Sequence, residues 1–222
     1  MTRPFKIGGL VTPAEMEGLR AAVDELKAQL AELAPELNLE TRLGALPPGF
    51  QPPQARSHPD VFIASLLPEL GRSPEAPEAT ESRWRDHLSL LQDTGATVFV
   101  CTIYRHIGGI ADPDQRRAVL ERVRRLNLLA VNLSHSLGVG VIDLDRAFAE
   151  RGTDTLKTDH RLEGRIAAEL TGHTVLSALL SMGLDTALEP GLQEAIRARI
   201  GGSLEVLDYL RRRLKSASSG HG

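Results

Sequence analysis

Residues 96–104, ATVFVCTIY, constrain the fold more than any other stretch, because these nine residues carry no charge and are rich in Val, Thr, Ile and aromatics. A continuous apolar run, rather than an alternating one, indicates a strand that is covered on both faces. Such a strand requires helices above and below the sheet and parallel neighbours beside it. The sequence therefore predicts an α/β protein built around this strand.

The rest of the chain supplies the other elements of such a fold. Four further segments are predicted as strands: 5–11, 38–43 (an edge strand, because apolar and polar residues alternate), 60–67 and 139–144. Apolar residues recur at helical spacing in five segments: 13–33, 81–92, 113–137, 164–182 and 189–214, the last broken near Gly201-Gly202. Strands that alternate with amphipathic helices predict a parallel sheet in a three-layer α/β/α sandwich.

Two of the predicted helices begin with clear start signals. Thr12-Pro13 is followed by Glu15, which predicts an N-cap, a proline at the first helical position and a capping box. Asp112-Pro113 has the same layout, with aspartate as the cap. Residues 68–77 hold three prolines and several acids, and we expect a long loop there that is mobile or packed over an edge of the sheet.

Composition excludes several classes of function. The net charge of −3 gives no general attraction to nucleic acid or to an anionic membrane, and aromatic residues are only 4% of the chain. Cys101 is the only cysteine, so no internal disulfide can form, which fits a reducing compartment. The N-terminus lacks the layout of a secretory signal, and no apolar run approaches the roughly 20 residues of a membrane helix. We expect a cytoplasmic protein with no membrane or nucleic-acid partner.

Polar residues follow several of the predicted strands, where ligands of parallel α/β sheets bind. Arg105, His106 and Arg146 lie at strand ends and are predicted to bind an anion such as a sugar acid or a phosphate. The alternative is an ordinary solvent-exposed rim. Gly8-Gly9 and Gly108-Gly109 lack the context of a phosphate-binding loop. The seven histidines are scattered, so the sequence predicts neither a metal site nor a cofactor.

From Asn127 onward the chain resembles the SGNH (GDSL-type) hydrolases. RVRRLNLLAVNLSHSLGVGVIDLDRAF is similar to that family's helix with an N…A…G pattern and the strand that follows it. TDHRLEGRIAAELTGHTVLSALL resembles its last segment, in which an Asp-x-x-His loop precedes a G-H-x-x-x-A helix. HPDVFIASL and NLETRLGA fit its earlier elements less closely. The resemblance implies a flavodoxin-like, five-stranded parallel sheet and esterase or deacylase activity through Ser, His and Asp.

The chain departs from that family at the residues that carry the chemistry. Residues 8–11 read GGLV instead of Gly-Asp-Ser, so no nucleophile matches. Residues 66–69 read LLPE instead of Gly-x-Asn-Asp, so the oxyanion asparagine is missing. Asp159 and His160 are adjacent instead of three residues apart, and they could form a displaced dyad with Ser65 as a substitute nucleophile. The alternative is a polar turn that leads into the helix.

Two hypotheses follow. In the first, the chain is a catalytically degenerate SGNH-like protein that binds a small ligand or a partner protein. In the second, it is an esterase or deacylase with a rebuilt active site that acts on an acylated sugar or a small metabolite. We predict an SGNH-like domain over residues 1–185, a helical extension over 186–216 and a disordered tail over 217–222. The leucine-rich N- and C-terminal helices could support a homo-oligomer.

Overall fold

The structure is a computed structural model that describes residues 4–45, 59–73, 75–152 and 156–200. Five strands form one sheet in the order β2-β1-β3-β4-β5, and every neighbouring pair is parallel. The strands are β1 (Phe5–Val11), β2 (Leu39–Ala45), β3 (Val61–Ser65), β4 (Thr97–Cys101) and β5 (Gly140–Ile142). The predicted parallel sheet is confirmed, and β2 lies at an edge as its alternating pattern indicated.

Helices cover both faces of this sheet. They are α1 (Pro13–Leu33), α2 (Pro77–Gln92), α3 (Pro113–Leu137), α4 (Leu144–Arg151), α5 (Arg165–Ala178) and α6 (190–200), with a π-helical turn (Leu179–Gly183) after α5. The residues that pack on one face of the sheet come from α1, α4, α5 and α6, and those on the other face come from α2 and α3. The three-layer α/β/α sandwich is therefore confirmed.

The strand that anchored the prediction shows why both faces must be covered. Phe99 and Cys101 of β4 belong to the core on the α1 side, whereas Val98 and Val100 belong to the core on the α2 side. All four residues are buried. Because successive side chains of a strand point to opposite faces, a strand buried on both faces can hold a polar side chain only where that side chain finds a buried hydrogen-bond partner.

Several element boundaries differ from the prediction. The strand predicted over 96–104 ends at Cys101, because the N–H of Ile103 bonds the side chain of Asn127 instead of a neighbouring strand. The strand predicted over 139–144 ends at Ile142, because Asp143 caps the unpredicted helix α4. Helix α2 begins at Pro77 instead of Glu81. The strand predicted over 60–67 ends at Ser65, and Leu67–Gly71 forms a 3₁₀ turn that extends into the segment predicted as a loop.

Helix α6 packs on the same core as α1. Ile196 and Ile200 of α6 are buried in that core, and Arg199 forms an ion pair of 2.7 Å with Glu32 of α1. The predicted boundary at residue 185 therefore falls just before a segment that shares the main core. The predictions for residues 201–222 lie outside the described residues. No helix in the described part of the chain is both long and apolar enough to cross a membrane.

Candidate binding crevice at the carboxyl ends of the strands

Ser65 ends β3 at the edge of the sheet where ligands of this architecture bind. Its side chain is fully buried. The hydroxyl donates a hydrogen bond of 2.6 Å to Oε1 of Glu15 and accepts one of 3.0 Å from the N–H of Leu67. The single hydroxyl proton is therefore bonded to a carboxylate and not to His160, the base proposed from the sequence.

Glu15 is the acceptor at the centre of a small polar cluster. Its Oε2 accepts hydrogen bonds from the N–H of Thr12, at 2.8 Å, and from the hydroxyl of Thr12, at 2.7 Å. Glu15 is only 2% exposed, and burial raises its pKa above the ordinary range although the hydrogen bonds from Ser65 and Thr12 oppose that rise. The capping box predicted from the sequence is confirmed, but its carboxylate also reaches across to β3.

The sequence did contain a signal for this buried carboxylate. Glu15 lies four residues before Leu19, which begins the apolar stripe of α1, so its side chain faces the core like that of Leu19. A charged residue on an apolar stripe requires a buried partner. The pattern alone could not identify that partner, because Ser65 is 50 residues away in the chain.

Asp159 is held by Arg161, two residues further along. The guanidinium donates bonds of 3.0 Å from Nε and 2.7 Å from Nη2 to the two carboxylate oxygens, and the N–H of Arg161 adds a third of 2.9 Å. Burial opposes the charge of Asp159, but these bonds outweigh it and the pKa of the carboxyl is lowered. Asp159 is therefore an ionised partner of Arg161 at neutral pH.

His160 lies beside this ion pair. Its Nδ1 is 3.6 Å from Oδ1 of Asp159, too long for a hydrogen bond, and this buried nitrogen has no hydrogen-bond partner among the described residues. The backbone N–H of His160 donates a hydrogen bond of 2.8 Å to the backbone carbonyl of His106. Burial lowers the pKa of His160 more than the charge of Asp159 raises it, so the imidazole is neutral at pH 7. The residue three after Asp159, where the resemblance would place a base, is the buried Leu162.

The loop that carries Asp159 and His160 fits closely against residues 105–110. A Cβ atom on Gly108 would lie 2.9 Å from Oδ2 of Asp159, so only glycine leaves room for the carboxylate. Lys157 and Leu162 adopt positive φ angles of 47° and 60°, which non-glycine residues rarely do. Strained backbone of this kind is concentrated at binding and catalytic sites.

A cleft of about 380 Å³ remains open beside this loop. Its lining consists almost entirely of groups that form hydrogen bonds: His106, Gly108, Lys157, Thr158, Asp159, Arg161 and Glu163. Positive and negative side chains are mixed, which suits a ligand that carries both donors and acceptors. No cluster of three or more His, Cys, Asp or Glu suited to a metal ion occurs in the described residues.

Two of the three predicted anion ligands have acidic partners. Nε of Arg105 lies 2.5 Å from Oδ2 of Asp145, and the N–H of Arg105 bonds Oδ1 of the same carboxylate at 2.9 Å. Arg146 is exposed and pairs with Glu150 of its own helix at 2.8 Å. Of the three, His106 is the one that lines the 380 Å³ cleft. Anion binding by Arg105 and Arg146 stays a prediction.

Asp145 of α4 and Asn127 of α3 bind the segment that follows β4. Asn127 accepts a bond of 2.7 Å from the N–H of Ile103 and donates one of 2.8 Å to its carbonyl. The N–H of Asp145 bonds the hydroxyl of Thr102 at 3.0 Å. These bonds satisfy backbone groups that the end of β4 leaves without a strand partner. The network holds Arg105 and His106 at the edge of the sheet.

Comparison with solved structures identifies this architecture. The acetyl xylan esterase AlAXEase is 13% identical with a TM-score of 0.59, and the alignment covers 79% of this chain and 100% of that one. An acetylxylan esterase from Geobacillus stearothermophilus, solved as a catalytic mutant, is 12% identical with a TM-score of 0.59, covering 81% of this chain and 96% of that one. A GDSL-like lipase from Bacteroides thetaiotaomicron is 8% identical with a TM-score of 0.56, covering 82% and 92%.

The chain has the SGNH/GDSL hydrolase fold. At these identities the likeness concerns the fold alone, and no family model and no curated protein matches the sequence. The fold predicted from the resemblance is thus confirmed.

In this chain the segment after β3, where the resemblance would place an asparagine-bearing turn, is a 3₁₀ turn that binds helix α2. Glu69 is buried there, accepts two bonds from Arg83, of 2.8 and 2.9 Å, and one from Nε1 of Trp84, and so ties the 3₁₀ turn to α2.

Proposed function

We propose that this SGNH-fold protein binds a small polar ligand in the cleft beside residues 157–163 and does not hydrolyse esters through Ser, His and Asp. The observation that carries the proposal is the bond of 2.6 Å from the Ser65 hydroxyl to the buried Glu15. A nucleophilic serine must be bonded to a base that can take its proton while it faces the substrate. Ser65 is bonded to a carboxylate, but it is fully buried and its hydroxyl points inward to Glu15, so it fails the second condition and does not face a substrate.

The chemistry of the cleft indicates the class of ligand. Lys157, Arg161 and His106 can donate hydrogen bonds, whereas Glu163 can accept them. A sugar acid combines one carboxylate with several hydroxyls and can satisfy both kinds of group. We therefore propose a hydroxylated small molecule with one anionic group, which retains the anion predicted from the sequence but assigns Lys157 to it, because Arg161 already pairs with Asp159.

Activity-based labelling tests the catalytic half of the proposal. The purified protein is treated with a fluorophosphonate probe and, separately, assayed with p-nitrophenyl acetate, with an active SGNH esterase as the positive control. We expect no labelling and no hydrolysis above that of the Ser65→Ala variant. Labelling of the wild-type protein that disappears in Ser65→Ala would show that Ser65 is a nucleophile and would contradict the proposal.

Ligand titration tests the binding half. Calorimetry with D-glucuronate and with inorganic phosphate should show saturable binding of glucuronate with a Kd below about 1 mM. Lys157→Gln and His106→Ala should each weaken it about tenfold, while Lys27→Gln, an exposed change on α1, should leave it unchanged. If all variants bind glucuronate with the same affinity as the wild type, the ligand does not bind in the cleft. If phosphate binds as tightly as glucuronate, the ligand is not recognised as a sugar acid.

A second candidate function is ester hydrolysis through Thr12, and one contact favours it. Thr12 is the first residue after β1, where the resemblance places the nucleophile, and its side chain is half-buried. Its hydroxyl donates a bond of 2.7 Å to Glu15, which Ser65 holds in turn from the other side. A hydroxyl, a base and a group that orients the base are the parts of a general nucleophilic site. The same probe separates the candidates, because labelling would then map to Thr12 and vanish in Thr12→Val but persist in Ser65→Ala.

A further inference from the structure

A second cavity lies at the opposite edge of the sheet, at the amino ends of the strands. Its volume is about 340 Å³, and it is bordered by Phe5 at the start of β1, Leu39 at the start of β2 and Asp60 just before β3. The crevice described above lies at the carboxyl ends of the same strands. The two sites are therefore separated by the length of the sheet and can be tested independently.

Buried leucines form the walls of this cavity. Leu26 and Leu30 come from the apolar stripe of α1, while Leu184 and Leu188 come from the segment that follows α5. All four are 5% exposed or less. Protein interiors are ordinarily packed without voids much larger than a water molecule. An open space of 340 Å³ bounded by such residues falls in the size range of small-molecule sites.

A π-helical turn leads into the wall on the α5 side. Leu179–Gly183 ends α5, and the N–H of Leu184 bonds the carbonyl of Leu179 at 3.1 Å across five residues. The chain then forms a tight turn, in which the N–H groups of Ala187 and Leu188 bond the carbonyl of Leu184, and this turn lines the cavity before α6 begins. Single π-turns in helices occur frequently at functional sites, because they redirect the chain at a cost in helix regularity.

The polar residues of the cavity limit the chemistry of its ligand. Asn38 and Thr186 are exposed and so lie at its solvent side, and Asp60 adds a carboxylate that accepts a bond of 2.8 Å from the N–H of Lys6. No lysine or arginine side chain lines the cavity within the described residues. Among the described lining residues an anionic head group would therefore find no lysine or arginine side chain, whereas a hydroxyl could donate to the carboxylate of Asp60 or to the amide oxygen of Asn38.

We propose that this cavity binds an uncharged amphiphile with an apolar body about two aromatic rings in size and a hydroxyl at one end. The size follows from the volume, since a dry cavity of about 150 Å³ holds one benzene molecule and this cavity is about 340 Å³. The leucines receive the apolar body, and the polar side of the cavity receives the hydroxyl. The site is distinct from the crevice and does not depend on the function proposed for it.

Calorimetric titration of the full-length protein with 2-naphthol tests the proposal. We expect saturable one-to-one binding with a Kd below about 1 mM, and binding of 2-naphthoate, which replaces the hydroxyl by a carboxylate, at least about tenfold weaker. Ala187→Phe fills the cavity and should weaken 2-naphthol binding at least about tenfold. Ala28→Phe makes the same change on the exposed face of α1 and should leave the affinity unchanged.

Three results would overturn the proposal: no saturable binding of 2-naphthol by the folded wild-type protein, unchanged binding by Ala187→Phe, or equal affinity for 2-naphthoate. Circular dichroism and thermal unfolding check that each variant is folded. If Ala187→Phe does not fold, Leu37→Phe introduces bulk from a half-buried position of the same lining and takes its place. Arg161→Ala, at the crevice, should leave the affinity for 2-naphthol unchanged. If this variant binds 2-naphthol more weakly, the ligand binds at the carboxyl ends of the strands, and the proposal is also wrong.

Discussion

At the scale of single residues, the buried carboxylate of Glu15 has two effects on the molecule. It links the start of α1 to the end of β3 through Thr12 and Ser65, and it accepts a hydrogen bond from the hydroxyl of Ser65, the substitute nucleophile predicted from the sequence. The same burial raises the pKa of Glu15, so ionisation of this group opposes folding. A residue that the sequence indicated only as a helix cap therefore affects both stability and chemistry.

The stability of the protein should depend on the ionisation of Glu15. Because burial raises the pKa of this group in the folded state, its contribution to stability is present below the ordinary carboxyl pKa of about 4.3 and is lost as the pH rises through the folded pKa. Glu15→Gln removes this loss. Unfolding by urea at about pH 5 and about pH 8 should therefore show a smaller fall in the free energy of unfolding for Glu15→Gln than for the wild type.

Glu17→Gln is the matched control, since Glu17 lies on the exposed side of the same helix turn. Asp159 and Glu69, whose pKa values are lowered, change stability in the opposite sense, but they are present in both proteins and cancel in the comparison. An identical pH dependence for Glu15→Gln and the wild type would show that Glu15 titrates normally.

Gly108 should resist substitution for a steric reason. A Cβ atom there would lie 2.9 Å from Oδ2 of Asp159 and 3.3 Å from its Cβ, so Gly108→Ala forces the loop over residues 157–163 to shift. Overpacking of this kind costs about 1–3 kcal/mol, which thermal unfolding can measure. Gly71→Ala has no atom within 4 Å of the new methyl group and should change stability little. Equal effects of Gly108→Ala and Gly71→Ala on stability would show that the loop over residues 157–163 can shift without a loss of stability.

At the scale of elements, α1 and α5 approach each other through their glycines. A Cβ atom on Gly18 would lie 2.5 Å from atoms of Thr171, and one on Gly172 would lie 2.9 Å from the carbonyl oxygen of Gly18. At Gly18 the side chain of Thr171 already occupies the space, and at Gly172 the backbone of α1 is too close for a side chain. This pairing fixes α5, and with it the loop that precedes it, against the first helix of the chain.

Gly18→Ala should destabilise the protein although alanine is the better helix former. Helix propensity alone favours alanine over glycine by about 1 kcal/mol, but the overlap with Thr171 requires the two helices to separate. We expect a net loss of about 1–3 kcal/mol by urea unfolding. Gly191→Ala in α6, where no atom lies within 4 Å, should instead stabilise the protein. A stabilising effect at both sites would mean that the helices are less tightly packed than described.

At the scale of the whole molecule, the sheet separates two cores, and α6 belongs to the larger of them. Ile196 is fully buried in the core that also contains residues of α1 and α5. A segment packed in this way should unfold together with the sheet. The extension predicted to begin at residue 186 should then behave as part of the main fold up to residue 200.

Truncation of Ile196 tests this arrangement. Ile196→Ala should lower the free energy of unfolding by about 2–5 kcal/mol, as removal of a buried isoleucine does in a close-packed core. Ile166→Ala, the same change at a residue that is 38% exposed, should cost less than about 1 kcal/mol. Both variants should show one cooperative transition. A separate early unfolding transition for α6, or equal effects of the two substitutions, would show that the segment after residue 185 is independent of the main fold.

The sequence determined the frame of this protein through local patterns. The apolar run around β4, the period of the leucines in α1 and the Pro-bearing caps of α1 and α3 each depend on residues within a few positions of one another, so the order of strands and helices could be predicted. Local patterns also gave the edge position of β2. Helix α4 was missed because Asp143, its cap, continues an apolar strand pattern without a visible break.

Only the tertiary structure decided how the polar residues at the strand ends are used. Ser65 bonds Glu15 across 50 residues, and Arg105 pairs with Asp145 across 40. Neither pairing has a local signature, because strand order and helix packing bring these groups together after the chain has folded. Hydrophobic periodicity specifies which face of an element is buried, but it carries no information about which buried polar group meets which. For that reason the sequence could specify the scaffold of a hydrolase, while the inward bond of its serine appears only in three dimensions.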